Sequence, residues 1–372
     1  MIECNMPFFC TMFSMEPFYI RLLFIYLLLE PAYEYIQAKH RMYMKYKFFL
    51  FFSVSSAIFR TGISLLLVHF MEDKLMGRVL GYVVPVSCMY FIIYCHIIIK
   101  GKTIKWEYCK YALSISIPLI PHMLSAIILS SSDRIMITKY CGGEQTALYS
   151  LAYTVASIVI LIHASINKAW TPWFFDELNS RSYDTIKKYA NYYIDVFLFF
   201  ITGIMLISPE LLLILGGKPY YEACYVIPPV MGASACQFVY TLYVNIETYH
   251  KKTGMISTGT VMAALLNIVL NLIFIPAYGY VAAAYTTFAG YMALAAFHFI
   301  IVRKNLKMSF IYNNGTLFAK LGFFTGLQFI CTLLYHTVYI RYICVFLYLA
   351  IFIVFCLKNR KTILKVCHKN LF

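Results

Sequence analysis

Arg60 lies in the middle of a long apolar run and shares one helix face with Ser53, Ser56 and Ser64. Separations of three and four residues place these side chains on the same side of an α-helix. A cation inside a membrane needs a counter-ion, and no acidic residue lies on the same run. Arg60 is therefore a candidate to bind an anion such as a phosphate, with pairing to another helix as the alternative.

Asp133 and Arg134 form a second charged feature, between two apolar runs, in the stretch ILSSSDRIMITKYCGGEQTALYSLAY. Adjacent opposite charges lower the cost of keeping two ionised groups at the edge of a membrane. We therefore expect these two side chains to pair with each other where the chain leaves the membrane. The pair has either a functional role at the rim of a cavity or a structural role as a cap on the helix end.

A polar stripe with helical spacing runs through a later apolar segment and consists of Ser257, Thr260, Ala264, Asn267 and Asn271. The preceding segment carries a similar stripe, formed by Ser234, Gln237, Thr241 and Asn245. Such residues commonly let helices pack closely and hydrogen-bond within a membrane. The alternative is that the two asparagines line a water-accessible cavity.

Two prolines, Pro118 and Pro121, fall inside the apolar segment SISIPLIPHML. Each removes a backbone donor and disfavours regular helix immediately before it. We predict a bent or broken helix at this point. Broken helices serve as hinges in transporters, whereas a static kink is the simpler interpretation.

The sequence lacks the zinc, phosphate-loop and nucleophile motifs that would indicate an enzyme. Its histidines are scattered singly and its cysteines form no CxxC pair. We therefore predict no catalytic residue, no metal site and no cofactor.

The surrounding elements are predicted to be transmembrane helices. The chain has 372 residues, of which 62% are hydrophobic and only 13% charged, too few charges for a soluble domain. About eleven apolar runs are long enough to cross a bilayer as helices. They cover residues 17–37, 48–70, 79–99, 111–131, 147–167, 190–214, 223–246, 255–275, 280–302, 317–336 and 339–357. The fold class is an all-α, polytopic transmembrane bundle.

The basic residues behave as topology signals and do not predict nucleic-acid binding, although the net charge is +15. Every second connection is rich in lysine and arginine, as in residues 39–47, 100–110 and 358–369. By the positive-inside rule these connections and the C-terminus are cytoplasmic. The N-terminus is then outside, an unusual start, and we expect an odd number of helices to be missing from the front.

The order of several motifs resembles that of a known family. The segments are SIPLIPHMLSAIILSSSDRIMITKYCGGEQTALYSLAYTVASI, INKAWTPWFFDEL and KKTGMISTGTVMAALLNIVLNLIFIPAYGYVAAAYTTFAGY. Together they look like the polysaccharide-biosynthesis transporters, the O-antigen and capsule flippases of the multidrug, oligosaccharidyl-lipid and polysaccharide exporter superfamily. The match covers about residues 45–305, and it is the combination of motifs that is specific.

The resemblance implies two helical lobes that rock around a central cavity. Residues 1–99 would be the remnant of the first lobe, with about three spans, and three leading helices would be absent. The remaining parts would be a basic linker at 100–110, a second six-helix lobe at 111–302, two extra helices at 317–357 and a basic cytoplasmic tail at 358–372.

The resemblance also implies a flippase in the bacterial cytoplasmic membrane, with a lipid-linked oligosaccharide on undecaprenyl pyrophosphate as substrate. Membrane lipids and polysaccharide assembly proteins are the other expected partners. Asp133 and Arg134 would close an outer gate or meet the pyrophosphate. The cations expected to attract that group are Arg60, Arg134 and Lys168. Asn267 and Asn271 would hydrogen-bond sugar hydroxyls.

Trp170, Trp173 and neighbouring aromatic residues, flanked by charges, predict an interfacial amphipathic helix on the cytoplasmic side.

Three other functions stay open. A cation-coupled drug exporter would use an embedded acid, for which Asp195 and Glu247 are candidates near helix ends. A membrane-embedded polysaccharide polymerase would need a larger outer loop, and a shortened chain would be an inactive copy.

Overall fold

The computed structural model describes residues 6–13, 15–43, 46–101 and 105–358. These residues are organised as helices joined by short connections, with no strand among them. The chain divides into two compact units, Met1–Cys109 and Lys110–Phe372. The predicted all-helical class is confirmed. The finer boundaries predicted for lobes, linker and tail stay predictions, and residues 359–372 of the predicted tail lie outside the described residues.

The helices of the first unit are α1 (Met6–Phe13), α2 (Pro17–Met42), α3 (Tyr46–Phe70) and α4 (Lys74–Gly101). Helix α5 (Trp106–Ser116) leads into the second unit. The helices of the second unit are α6 (Leu119–Cys141), α7 (Gly143–Asn179), α8 (Tyr183–Gly216), α9 (Ile227–Tyr249), α10 (Thr253–Tyr278), α11 (Tyr280–Lys304), α12 (Asn314–Leu334) and α13 (Val338–Lys358). A 3₁₀ segment, Lys218–Val226, connects α8 to α9.

Within the described ranges, 9 helical segments are long and apolar enough to cross a membrane. They coincide with the second to the tenth of the predicted spans. The first predicted span, 17–37, does form a helix, but α2 falls outside this set, and its Arg21, Glu30 and Glu34 make it more polar. The last predicted span, 339–357, overlaps the shorter apolar stretch Val338–Ile351.

The predicted interruption of the fourth span is present. Helix α5 ends at Ser116, two turn residues follow, and α6 begins at Leu119. Pro118 precedes α6 directly, and Pro121 lies in its first turn, where the missing N–H would have no intrahelical acceptor. The use of this break as a hinge stays a prediction.

Close helix contact in the first unit depends on two glycines of α4. A Cβ atom on Gly77 would lie 2.8 Å from the carbonyl oxygen of Leu67, and one on Gly81 would lie 2.4 Å from Cα of Ser64. Glycines four residues apart therefore let the backbones of α3 and α4 meet. On the other side of α4, Tyr90 stacks on Tyr33 of α2, with ring centroids 4.6 Å apart.

The second unit is built around α9. In the apolar segment that contains this helix, Lys218–Tyr249, 83% of the most apolar stretch is buried inside the protein. In α3, the corresponding share is 6%. The hydrophobic core of this unit extends from Leu129 on α6 to Tyr335 just beyond α12. Two glycines with positive φ, Gly142 at 92° and Gly279 at 75°, form the junctions between α6 and α7 and between α10 and α11. Glycine adopts this conformation without steric cost, so each helix pair can reverse direction sharply.

Candidate functional site

Asp133 is the centre of a buried polar network in the second unit. Its side chain is fully buried, and its two carboxylate oxygens accept three hydrogen bonds. Tyr149 Oη donates to Oδ2 at 2.6 Å, Thr287 Oγ1 donates to the same oxygen at 2.7 Å, and Asn271 Nδ2 donates to Oδ1 at 2.7 Å. Short bonds to an ionised acceptor are the strong class of hydrogen bond. Four helices, α6, α7, α10 and α11, are thus joined at one carboxylate.

A second layer of hydrogen bonds surrounds this centre. Asn271 Nδ2 also donates to Asn267 Oδ1 at 3.2 Å, and Asn267 Nδ2 donates to Thr287 Oγ1 at 3.3 Å. Thr286 donates to the side-chain oxygen of Asn271, and Ser132 donates to Asn267 at 3.5 Å. Both asparagines have no exposed surface. A buried network of this kind is stable only when its members satisfy one another.

Local sequence explains how these residues come together. Asn267 and Asn271 are one helical turn apart and therefore face the same side of α10. The tight reversal at Gly279 brings the first turns of α11 back beside the end of α10, which places Thr286 and Thr287 opposite the asparagines. The polar stripe predicted from spacing on α10 is a continuous buried face, since Ser257, Thr260, Ala264 and the two asparagines are all buried.

The predicted pairing of Asp133 with Arg134 is corrected by the structure. Neighbouring residues on a helix point in different directions and do not face each other. Asp133 turns inward to the network, whereas the guanidinium of half-buried Arg134 lies 4.9 Å from the ring centroid of Tyr153. Asp133 is also deep inside the helix bundle and not at the rim of a cavity.

The role expected for Asn267 and Asn271 in binding sugar hydroxyls is likewise not supported by their positions. Their amides are buried and already engaged with Asp133, Thr286 and Thr287. They hold helices together in this structure, so no amide is presented to a ligand.

Lys168 is distant from the network. It is exposed on α7, 19 residues beyond Tyr149, which corresponds to about 28 Å along a helix. Of the sequence-predicted residues, the structure therefore brings together Asp133, Asn267 and Asn271, while Lys168 and Arg134 point elsewhere.

Arg60 lies in the first unit, where its serine stripe forms the less exposed face of α3. Its Nη1 donates to the hydroxyl of Tyr82 on α4 at 3.3 Å, and its guanidinium carbon lies 5.5 Å from the centroid of the same ring. No carboxylate within the described part of the chain forms an ion pair with it. The guanidinium therefore retains several donors for an anion.

The aromatic segment after Lys168 is corrected from an interfacial helix to part of the core. It continues the long helix α7, in which Trp170 and Phe174 are buried. The Trp170 ring lies 5.1 Å from the ring of Tyr193 on α8, and Phe174 is 6.1 Å from Tyr312. These contacts join α7 to α8 and to the connection that follows α11.

Sequence reasoning missed Tyr149, Thr286 and Thr287. The sequence did contain a signal for Thr287. Thr287, Gly290, Leu294 and His298 are separated by three, four and four residues, so they share one face of α11. Such a face predicts a buried polar stripe like that of α10. Tyr149 carries no comparable signal, since a tyrosine in an apolar run is most often a packing residue.

The network surrounds the carboxylate of Asp133 with hydrogen-bond donors, namely two hydroxyl groups and one amide nitrogen. The described residues contain no group of three or more His, Cys, Asp or Glu side chains that would hold a transition metal. The network is a helix clamp with an ionisable centre.

Comparison with known proteins adds three matches. The family model of polysaccharide biosynthesis proteins matches residues 18–177. A Haemophilus influenzae protein of the Lsg locus is 26% identical over 233 residues, which cover 58% of this chain and 55% of that protein. An uncharacterized membrane protein of the same organism is 25% identical over 227 residues, covering 59% of this chain and 56% of its own length.

Among solved structures, the inward closed conformation of the lipid II flippase MurJ has a similar fold. The TM-score is 0.51 at 14% sequence identity, and the match covers 93% of this chain and 73% of that one. The resemblance to polysaccharide biosynthesis proteins, predicted from the order of motifs, is confirmed over residues 18–177. This multi-pass membrane protein has a flippase-like fold, and its chain spans about half the length of the curated relatives that it matches.

Proposed function

We propose that the chain acts as a flippase for a lipid-linked oligosaccharide, the repeat unit of a surface polysaccharide, which it moves across the cytoplasmic membrane by alternating access. The observation that supports this most strongly is the fold shared with a lipid II flippase over 93% of the chain. The family match to polysaccharide biosynthesis proteins supports the same substrate class.

Arg60 is proposed to bind the anionic phosphate groups of this substrate. Its position in an apolar helix makes an unpaired charge expensive, so an anionic ligand would relieve that cost. Tyr82 accepts only one of the five N–H donors of the guanidinium and covers one face of its plane. The remaining donors form the planar fork that recognises phosphate oxygens in pairs.

The Asp133 network is proposed to make α6, α7, α10 and α11 move as one rigid body. Rocking of a bundle requires that its helices stay in register while the cavity opens and closes. Three hydrogen bonds to one buried carboxylate, from three neighbouring helices, provide such a connection. No covalent step is part of this cycle.

The proposal is tested by complementation of a strain that lacks its surface-polysaccharide flippase, with polymer measured at the cell surface. We expect the wild-type chain to restore polymer and Arg60→Ala to abolish it at an unchanged protein level. Arg60→Lys keeps the charge but not the fork and should restore polymer only in part. Arg78→Ala, which removes an exposed arginine of the same unit, is the matched control.

Two results would contradict the proposal at different levels. Normal polymer with Arg60→Ala would remove Arg60 from the substrate site. A wild-type chain that reaches the membrane and restores no polymer with any tested lipid-linked substrate would refute the flippase function itself.

A cation-coupled drug exporter is the second candidate, and the complete burial of an acidic side chain, Asp133, within the helix bundle favours it. Expression in a drug-sensitive strain distinguishes the two functions. An increase in drug resistance that Asp133→Asn removes, without any effect on surface polymer, would favour export of drugs.

A further inference from the structure

Glu247 and His298 form a second buried ionisable pair, away from the Asp133 network. Glu247 lies two residues before the end of α9, and His298 lies six residues before the end of α11. His298 Nδ1 and Glu247 Oε1 are 2.8 Å apart, and neither side chain has exposed surface. The other two polar atoms, Oε2 of Glu247 and Nε2 of His298, have no hydrogen-bond partner among the described residues.

Neither protonation state satisfies this pair completely. In the protonated form, a hydrogen lies between Nδ1 and Oε1 and a second hydrogen is on Nε2; the pair is neutral overall, but the hydrogen on Nε2 has no acceptor. In the deprotonated form, the hydrogen on Nε2 has left, Nδ1–H still donates to the carboxylate, and the pair carries a buried negative charge. An unsatisfied buried donor and an uncompensated buried charge each cost free energy, so both states of the pair are unfavourable. A purely structural ion pair would be expected to satisfy all its atoms.

The surroundings of the pair contain further polar groups but no full counter-charge. On α9, the ring of Tyr240 stacks on His298, with centroids 5.7 Å apart. On α6, His122 is near enough to interact electrostatically with His298, and its Nδ1 lies 2.7 Å from Thr260 Oγ1 on α10. A Cβ atom on Gly259 of α10 would lie 3.0 Å from His298 Nε2, so this nitrogen faces helix backbone.

Several charged side chains of neighbouring elements are engaged elsewhere. After α9, Lys252 gives only its backbone N–H to the Glu247 carbonyl, and Lys251 lies over the ring of Tyr111. Arg303, at the end of α11, lies over Phe299. The charged side chain of α12, Lys320, pairs with Asp195 of α8, while His163 of α7 lies between the rings of Phe197 and Phe238.

The pair and the Asp133 network lie on the same seam of helices. His122 and Asp133 are 11 residues apart on α6, and Thr287 and His298 are 11 residues apart on α11. Eleven residues are close to three full turns, so each pair shares a helix face at a separation of about 16 Å. Leu129 is buried between the two polar clusters and packs beside Gly290. A charge change at one cluster therefore acts on the helices that the other cluster holds.

We propose that Glu247 and His298 form a proton-binding site that takes up and releases one proton, through the side of the membrane on which α9 and α11 end. The positive-inside pattern predicts that this side is cytoplasmic. The use of the proton as the coupling ion rests on the transport function proposed above, whereas proton binding itself does not.

Proton binding is tested on the purified full chain in lipid nanodiscs by ¹⁵N-histidine NMR as a function of pH. His298→Gln identifies the resonance of His298. Spectra are recorded from about pH 5 to 8, the range in which histidine changes charge most readily, and we expect the His298 resonance to report gain and loss of one proton. Glu247→Gln should change this response, because it removes the carboxylate that holds the proton. The resonance of His163, a buried histidine between aromatic rings, is the control and should not respond to Glu247→Gln.

A His298 resonance that stays constant over this range in the wild-type protein would overturn the proposal and identify a permanent structural bridge. This result is obtained on the native chain, so a variant that fails to fold does not obscure it.

For coupling, Glu247→Gln should make surface polymer insensitive to a protonophore. If the wild-type protein binds the proton but Glu247→Gln leaves the effect of the protonophore on surface polymer unchanged, the coupling role alone is overturned. Absence of polymer with the wild-type chain would refute the flippase function and leave the NMR result intact.

Discussion

Removal of one hydroxyl from the Asp133 network, by Tyr149→Phe, isolates the contribution of a single hydrogen bond. Tyr149 is fully buried, and its hydroxyl donates to Asp133 Oδ2 at 2.6 Å. Hydrogen bonds between helices in membranes average about 0.6 kcal/mol, with a maximum near 1.7. Bonds to charged groups contribute about 1.5–3 kcal/mol. Because the acceptor here is a buried carboxylate, we expect a loss near 1.5–2 kcal/mol in the free energy of unfolding.

The measurement is reversible unfolding of the purified chain in mixed micelles, monitored by helical circular dichroism. Tyr153→Phe is a matched control, since it removes a tyrosine hydroxyl one helical turn away that takes no part in the Asp133 network. The aromatic ring that lies beside Arg134 is retained in this control, so the control should cost less than Tyr149→Phe. Equal losses for the two variants would refute the conclusion that the network stabilises the bundle through its carboxylate.

Three further predictions concern packing, charge and pH. Gly81→Ala should cost about 1–3 kcal/mol, because its Cβ would lie 2.4 Å from the α3 backbone, whereas Gly62→Ala meets nothing within 4 Å and should be neutral or stabilising in the same assay. Glu210→Gln should cost about 1–3 kcal/mol of unfolding free energy, because Arg341, 2% exposed, then faces a neutral amide with one acceptor oxygen in place of a carboxylate that accepts two 2.6 Å bonds. The 32% exposure of Glu210 keeps the cost below that of a fully buried pair. Burial, and then the charge of a nearby lysine, lowers the pKa of His250 from 6.5. The unfolded chain thus binds this proton more readily, so the stability that His250 contributes is present above pH 6.5 and is lost as pH falls through the lower folded value. His250→Gln should flatten the dependence of melting temperature on pH in that range.

The helical fold was predictable because hydropathy acts locally. An apolar run long enough to span a bilayer must form a helix, since backbone groups have no other partners in hydrocarbon. Nine of the predicted spans match helical segments in the described ranges for this reason. The break before α6 was predictable as well, because Pro118 acts on the residues next to it.

The candidate site was predictable only in part. Spacing on α10 correctly placed Asn267 and Asn271 on one face, but it gave no information on what that face contacts. The structure shows that the face meets Asp133, so both asparagine amides are engaged within the protein. The Asp133–Arg134 pairing was wrong because adjacency in sequence is not adjacency on a helix surface.

By itself, the sequence determined that this chain lies in a membrane, which segments form its apolar helices, and which polar residues share a helix face. These properties follow from transfer free energies and helix geometry, which depend on near neighbours along the chain. The tertiary structure alone decided which faces meet. It joined Tyr149, Thr287 and Asn271 at one carboxylate, and it buried Glu247 beside His298, 51 positions later in the chain. Contacts over such distances depend on how whole helices pack, which no local pattern specifies.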